Sequence, residues 1–274
     1  MKTSVLSALF CRYSLEHAFE SVSRAGYDGI DLSGARPHAY PYDMDLKRID
    51  KVLKLKEKYQ LEIPMYGPDV LAYPYNLASQ LPAERADGVK FVDRAIDVAA
   101  EMGIPKVQIT CGHTCNNTTR RENLDNLYSS LEPLVQKAQD RRVVIILEAV
   151  TIMESNVVVF VDDIKEVLDH FHSPYLKTMM DTVTPPINKE TYAEHFEKLG
   201  HDIQHIHFVD CNGTDQTHML LGTGVIDLPA LRDTILHYGY DGWLCSEIIS
   251  QGIMEPDLCA AREIRKMKEL FHLK

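Results

Sequence analysis

The sequence predicts an eight-stranded parallel α/β barrel, the (β/α)8 or TIM architecture, spanning residues 1–274 as one domain. Three observations predict it. Apolar runs with strand character alternate with amphipathic helical segments along the whole chain, and about eight such units fit its length. A junction of helix, glycine and short strand recurs at Gly26, Gly103, Gly200 and Gly239, where a helix ending in a left-handed residue would turn back into the sheet. Four of the apolar runs end in a residue able to bind a hard cation: Glu148, Asp181, His207 and Glu247, spaced by about one βα unit each. A doubly wound open sheet fits less well, because no glycine-rich phosphate turn follows the first strand.

Taken in order, strands are expected near 4–9, 28–32, 62–66, 106–110, 143–148, 177–181, 203–209 and 243–247. Ser14 is placed to cap a first helix carrying Leu15, Ala18, Phe19 and Val22 on one face. Asp45 is placed to cap a second, through Leu46, Ile49, Val52, Leu53 and Leu55. Pro82 and Pro229 sit where a first helical turn tolerates proline. A long helix over about 82–102 presents Val89, Val92, Ile96 and Ala99, and a final one over 256–272 presents Leu258, Ala261, Ile264, Met267 and Phe271.

The formal net charge of −11 argues against nucleic acid or an anionic membrane surface as a partner. No apolar stretch is long enough to span a bilayer, and the length and flanks of the N-terminal apolar run disfavour a secretory signal. Six scattered cysteines without a Cys-x-x-Cys pair read as reduced thiols in a cytoplasmic protein.

The chemistry is expected where the strands end. Glu148, Asp181 and Glu247 follow apolar runs, where a charge is costly unless paired or metal-bound. Barrel enzymes build their sites at this rim. Three carboxylates and one imidazole suit one divalent ion, Mn²⁺ first, with Co²⁺, Mg²⁺, Zn²⁺, Fe²⁺ or Ni²⁺ as alternatives. Such a site can polarise a carbonyl oxygen while a carboxylate remains able to take a proton. His218 lies on a rim loop as a candidate substrate contact, as does His113 after the fourth strand. Tyr66, ending the third strand, is a candidate apolar wall. His205 is expected to face away from His207 and pack among helices. Gly222-Thr223-Gly224 reads as a tight turn rather than a phosphate cradle. Tyr73-Pro74-Tyr75 could cover the pocket or serve an interface.

The rim quartet and chain length resemble the xylose isomerase-like barrel superfamily, in particular its ketose 3-epimerase branch. Longer stretches are similar to the members acting on fructoselysine: Leu15-Glu16-His17-Ala18-Phe19, Gly26-Tyr27-Asp28-Gly29-Ile30, Arg36-Pro37-His38-Ala39, Tyr73-Pro74-Tyr75-Asn76 and Glu154-Ser155-Asn156-Val157-Val158. The resemblance implies a metal-dependent inversion of C3 through a cis-enediolate, with Glu148 and Glu247 as both ligands and the acid–base pair. It implies substrate hydroxyls near Glu154, and fructoselysine or a similar fructosamine as the ketose. Related barrels often pair, so a homo-oligomer is expected. The family pattern has a histidine where this chain has Thr184 and an arginine where it has Gly213; His218 could fill part of that gap. Both departures point away from a free ketohexose. A sugar isomerase or an inosose or dehydroshikimate dehydratase could use the same ligands, and a non-catalytic sugar-binding barrel is the alternative outside enzymes.

Overall fold

The computed structural model describes residues 1–71, 75–249 and 251–273. Eight parallel strands close into a barrel in the order β1-β10-β7-β6-β5-β4-β3-β2. These are β1 (Lys2–Leu6), β2 (Gly29–Ser33), β3 (Tyr66–Gly67), β4 (Lys106–Ile109), β5 (Val144–Leu147), β6 (Leu176–Asp181), β7 (Ile203–His207) and β10 (Trp243–Ser246). A separate antiparallel hairpin, β8 (Asp210–Cys211) and β9 (His218–Met219), rises from the end of β7. The surrounding helices are α1 (Leu15–Ala25), α2 (Leu46–Tyr59), α3 (Pro82–Met102), α4 (Arg120–Arg141), α5 (Val161–Phe171), α6 (Thr184–Asn188), α7 (Tyr192–Leu199), α8 (Leu228–His237) and α9 (Pro256–Phe271). None among the described residues is long and apolar enough to cross a membrane.

Local chemistry accounts for these limits. The Ser14 hydroxyl accepts the His17 amide at 3.2 Å, and the Asp45 carboxylate accepts that of Arg48 at 2.8 Å, so both expected caps form. Thr119 and Glu122 make a reciprocal capping box that starts α4. The third strand is shorter than expected. Pro64 has no amide to give a ladder, so between the bridge at Glu62 and the pair at Tyr66 the chain only touches β2, through the Ile30 and Leu32 amides. The seventh strand also stops early, at His207, because Asp210 and Cys211 leave the barrel for the hairpin. At α7, Gly200 opens a short 3-10 turn instead of a left-handed cap.

The main core lies between the barrel and its helices, where Phe19, Phe91, Phe208, Leu131 and Ile235 are buried. The barrel interior is different. One arc of it is apolar, with Met65, Ile146 and Met179 in contact. The opposite arc carries buried Ser4, Asp31, His205 and Cys245 from four adjacent strands.

The loop following the hairpin is drawn tight around Asp210. Its buried carboxylate accepts the amides of Gly222, Gly224 and Ile226 at 3.0, 2.9 and 3.1 Å. Gly222-Thr223-Gly224 is therefore a turn wrapped on a side chain. A Cβ on Gly224 would lie 2.1 Å from the Cys211 carbonyl oxygen, whereas one on Gly103 would meet nothing and suffer only its φ of +66°. Gly224→Ala is expected to lower stability by about 3 kcal/mol through overpacking and Gly103→Ala by about 1 kcal/mol through backbone strain. Equal urea midpoints for the two variants would refute this packing.

Glu263 on α9 holds the same loop by accepting the Leu221 amide at 3.0 Å, while its other oxygen has no partner. Burial pushes its carboxyl up to about 8. A folded-state value above the unfolded one means that the unfolded chain releases this proton first, so the native state loses stability as pH rises toward 8. Glu263→Gln keeps an acceptor and removes that penalty. Its stability advantage over the native chain is expected to grow between about pH 5 and pH 8 and then level off, measured by urea unfolding across that range.

Candidate active site

Glu148 follows β5, Asp181 ends β6, His207 ends β7, and Glu247 follows β10. Closure brings these ends together. Asp181 is the register partner of His207, and His207 is the partner of Cys245, two residues before Glu247. His207 Nδ1 lies 2.5 Å from Glu247 Oε2 and 3.4 Å from Glu148 Oε1. His218, carried in by β9, places Nε2 at 3.1 Å from Asp181 Oδ2 and 3.3 Å from the same Glu247 Oε2. Two donor groups therefore share Glu247: Glu148, His207, Glu247 and Asp181, His218, Glu247.

The residues around them fix their aim. Gln108 of β4 donates its amide to Glu148 Oε2. The Val183 amide reaches Asp181 Oδ1 at 2.9 Å. Glu154 accepts the hydroxyl and amide of Thr151 at 2.7 and 3.1 Å and faces the same cavity. That cavity holds about 350 Å³, with Leu6, Ala8, Val150 and Ile249 as its apolar wall and Asp69 on its lining. Another of about 380 Å³ lies among Lys106, Phe196 and Tyr238, away from every residue of the quartet.

The electrostatics follow from burial and crowding. Burial, with the nearby Glu247 and Asp181 charges, raises the Glu148 carboxyl above its ordinary value although His207 opposes it. Burial also pushes Glu247 up, but His207 and His218 together hold it well below the carboxylate range. Burial alone would lower both imidazoles; the carboxylates around them raise both instead. Burial raises Glu154 as well. Neither ring nitrogen of His207 makes a hydrogen bond despite the two carboxylates beside it. A buried imidazole beside carboxylates, next to a second Asp–His–Glu group, is a donor set that fits a divalent metal ion.

Other expected site residues lie elsewhere. Tyr66 does not line the cavity: its ring is fully buried on the helix side and its hydroxyl donates to the Ala39 carbonyl, while Gly67 faces inward. His113 is exposed and borders a small adjoining recess with Tyr75, Asn76 and Glu84. His205 requires a correction. Residues two apart on a strand share a face, so His205 points into the barrel as His207 does, one layer deeper. It is fully buried, lies 2.8 Å from Asp31, and its ring stands perpendicular to that of His207 at 5.7 Å between centroids. Thr184 is buried at the start of α6, outside the cavity lining, and Gly213 is in the hairpin turn. Cys111 is buried, with its thiol pushed up to about 11, as befits an inert residue. Of the aromatic loop, Tyr73 and Pro74 lie outside the described residues; Tyr75 stacks on Phe91 at 3.9 Å. Sequence reasoning missed Gln108, whose signal was a polar residue at an inward position between Val107 and Ile109, and missed the Asp31–His205 pair.

A family model described as xylose isomerase-like TIM barrel matches residues 19–270. The chain is 33% identical to fructoselysine 3-epimerase of Shigella flexneri over 271 residues, covering 99% of this chain and 98% of that protein. It is 32% identical to fructoselysine 3-epimerase of Escherichia coli O157:H7, with the same coverage. A crystal structure of a D-tagatose 3-epimerase-like protein superposes with a TM-score of 0.84 at 24% identity, covering 99% of this chain and 98% of that one; at that identity it speaks to the fold.

Crowded carboxylates destabilise the fold until a cation joins them. Adding Mn²⁺ or Co²⁺ to chelator-treated protein is expected to raise the unfolding midpoint, corresponding to about 2.7 kcal/mol of added unfolding free energy at ~100 times the dissociation constant. A midpoint unmoved by every divalent ion tried would show that the cluster holds none.

Proposed function

This chain belongs to the xylose isomerase-like TIM barrel family, and we propose that it is a metal-dependent ketose 3-epimerase acting on fructoselysine or a similar fructosamine. Its likeness to named sugar epimerases makes it an isomerase-class enzyme. The observation that carries the reading is the approach of Glu148 and Glu247 to one imidazole nitrogen, 3.4 and 2.5 Å away, at the floor of one cavity. Inversion at a carbon bearing hydrogen needs one base and one acid on opposite faces, and two carboxylates around a common centre supply both.

Glu148, Asp181, His207 and Glu247 would hold the ion. Bound there, a divalent cation supplies Lewis-acid polarisation of the substrate's C2 carbonyl, which acidifies the C3–H bond. One of Glu148 and Glu247 takes the C3 proton to leave an enediolate, and the other returns a proton to the opposite face. Gln108 fixes the orientation of Glu148 by holding one of its oxygens. Glu154, held by Thr151, faces the cavity where it can accept a sugar hydroxyl. The apolar wall of Leu6, Ala8 and Ile249 limits water around the exposed carbanion face.

The charge of the cavity supports an amine-bearing substrate. Asp69, Glu148, Glu154, Asp181 and Glu247 line it, and no Lys or Arg does among the described residues. Glu148, Glu154, Asp181 and Glu247 alone outweigh the two positive charges of one ion. A protonated fructosamine is drawn into such a field, and a sugar phosphate or sugar acid is repelled.

The test is proton exchange in deuterated water, read by NMR with fructoselysine, a free ketohexose and a ketose phosphate. Exchange is expected at C3, at least about tenfold faster for fructoselysine than for the free sugar, a margin of ~1.4 kcal/mol. Glu148→Gln and Glu247→Gln are each expected to slow it by about 100-fold or more. Exchange at C1, loss of water from the product, or undiminished exchange in either variant would overturn the assignment.

A further inference from the structure

His218 is not one of the four strand-end residues, yet it reaches as deep as they do. The hairpin sets Cys211 opposite His218, and the imidazole, 9% exposed, points down onto Asp181 and Glu247. Its other nitrogen, Nδ1, lies 2.9 Å from the Gln216 carbonyl oxygen. A carbonyl can only accept, so Nδ1 must carry the proton and donate. Nε2 is then the ring atom that faces the rim, 3.1 Å from Asp181 Oδ2 and 3.3 Å from Glu247 Oε2. Asp181, His218 and Glu247 thus each bring one ligand atom within 4.8 Å of the others, a group able to hold a cation.

A backbone carbonyl holding the far nitrogen is also the arrangement that orients metal-bound histidines. The second, independent observation is His207. It is fully buried, its nitrogens lack hydrogen bonds, and it faces the same Glu247 oxygen from the other side. One ion against Glu247 Oε2 is within reach of both imidazoles.

We propose that His218 is a fifth ligand of the rim cation, supplied by the hairpin rather than by a strand. The proposal rests on the presence of a cation in the proposed site, and not on the reaction carried out there. It changes the expected metal. Two imidazoles with three carboxylates favour Co²⁺, Zn²⁺, Fe²⁺ or Ni²⁺ over Mg²⁺ more strongly than one imidazole does, and weaken the case for Mn²⁺.

The test separates ligation from turnover. Chelator-treated full-length protein is titrated with Co²⁺, Zn²⁺ and Mg²⁺, for the native chain and for His218→Ala and His218→Gln. Both variants are expected to bind Co²⁺ and Zn²⁺ at least about 10- to 100-fold more weakly, with a changed visible spectrum of the Co²⁺ form and a smaller loss for Mg²⁺. Native affinity and an unchanged Co²⁺ spectrum in the variants would overturn the proposal. Should the variants fail to fold, nitrogen NMR of the native protein with ¹⁵N-labelled histidine decides. With Zn²⁺ bound, Nδ1 of His218 is expected to keep its proton and Nε2 to carry none; a proton on Nε2 would make His218 an imidazolium partner of Asp181 and Glu247 and refute ligation. Weakened metal binding without C3 exchange in the native enzyme would sink the epimerase reading and leave this one standing.

Discussion

The structure depends on the closing of a parallel sheet around like charges. A closed barrel has one rim at the carboxyl ends of its strands, and every strand delivers its last inward residue to that rim. The pairing of Asp181 with His207, and of His207 with Cys245, brings residues far apart in sequence to within bonding distance. Glu148 and Asp181 are buried there, with Glu247 half-buried beside them. Removing three carboxylates from water is costly, and only positive charge among them offsets the cost. The fold's apolar layers must hold shut a rim that would otherwise push itself open.

The barrel interior is organised around the same demand. Met65, Ile146 and Met179 fill the arc beneath Glu148 and Asp181, while Ser4, Asp31, His205 and Cys245 fill the arc beneath His207. An apolar floor raises a carboxyl's affinity for protons, as Glu148 shows. Under His207 the balance is reversed. Burial pushes Asp31 up, but His205 at 2.8 Å holds it below its ordinary value, so a negative charge persists one layer down. The His207 ring is thus set between anions above and below, whose field favours positive charge beside it.

Much of this was legible in the sequence because it follows from periodicity and spacing. The eight strands, the caps at Ser14 and Asp45, and the four strand-end residues of a type able to bind a cation each announce themselves locally. What was not legible depends on facing. Tyr66 and Gly67 are neighbours with opposite orientations, and no composition rule says which of them the barrel takes inward. His205 was legible and misread, since an interval of two residues preserves the face of a strand. His218 was half legible. Its place on a rim loop could be seen, but its contact with Asp181 spans 37 residues and depends on the path of a hairpin that no strand pattern marks.

The hairpin that carries His218 is held in place by its own surroundings. Asp210 gathers three loop amides, Gln251 takes the Leu220 amide at 2.9 Å, and Glu263 takes that of Leu221 at 3.0 Å. All five donated amides lie within eight residues of His218, and none of their acceptors is a rim carboxylate. The imidazole is therefore positioned by the protein's own backbone, and the ordering entropy of the loop is charged to folding rather than to ligand binding. A cation or a sugar entering the cavity meets donors already in place. Thr184 lies outside the cavity lining, and it is the hairpin that brings the second imidazole, His218, to the cavity.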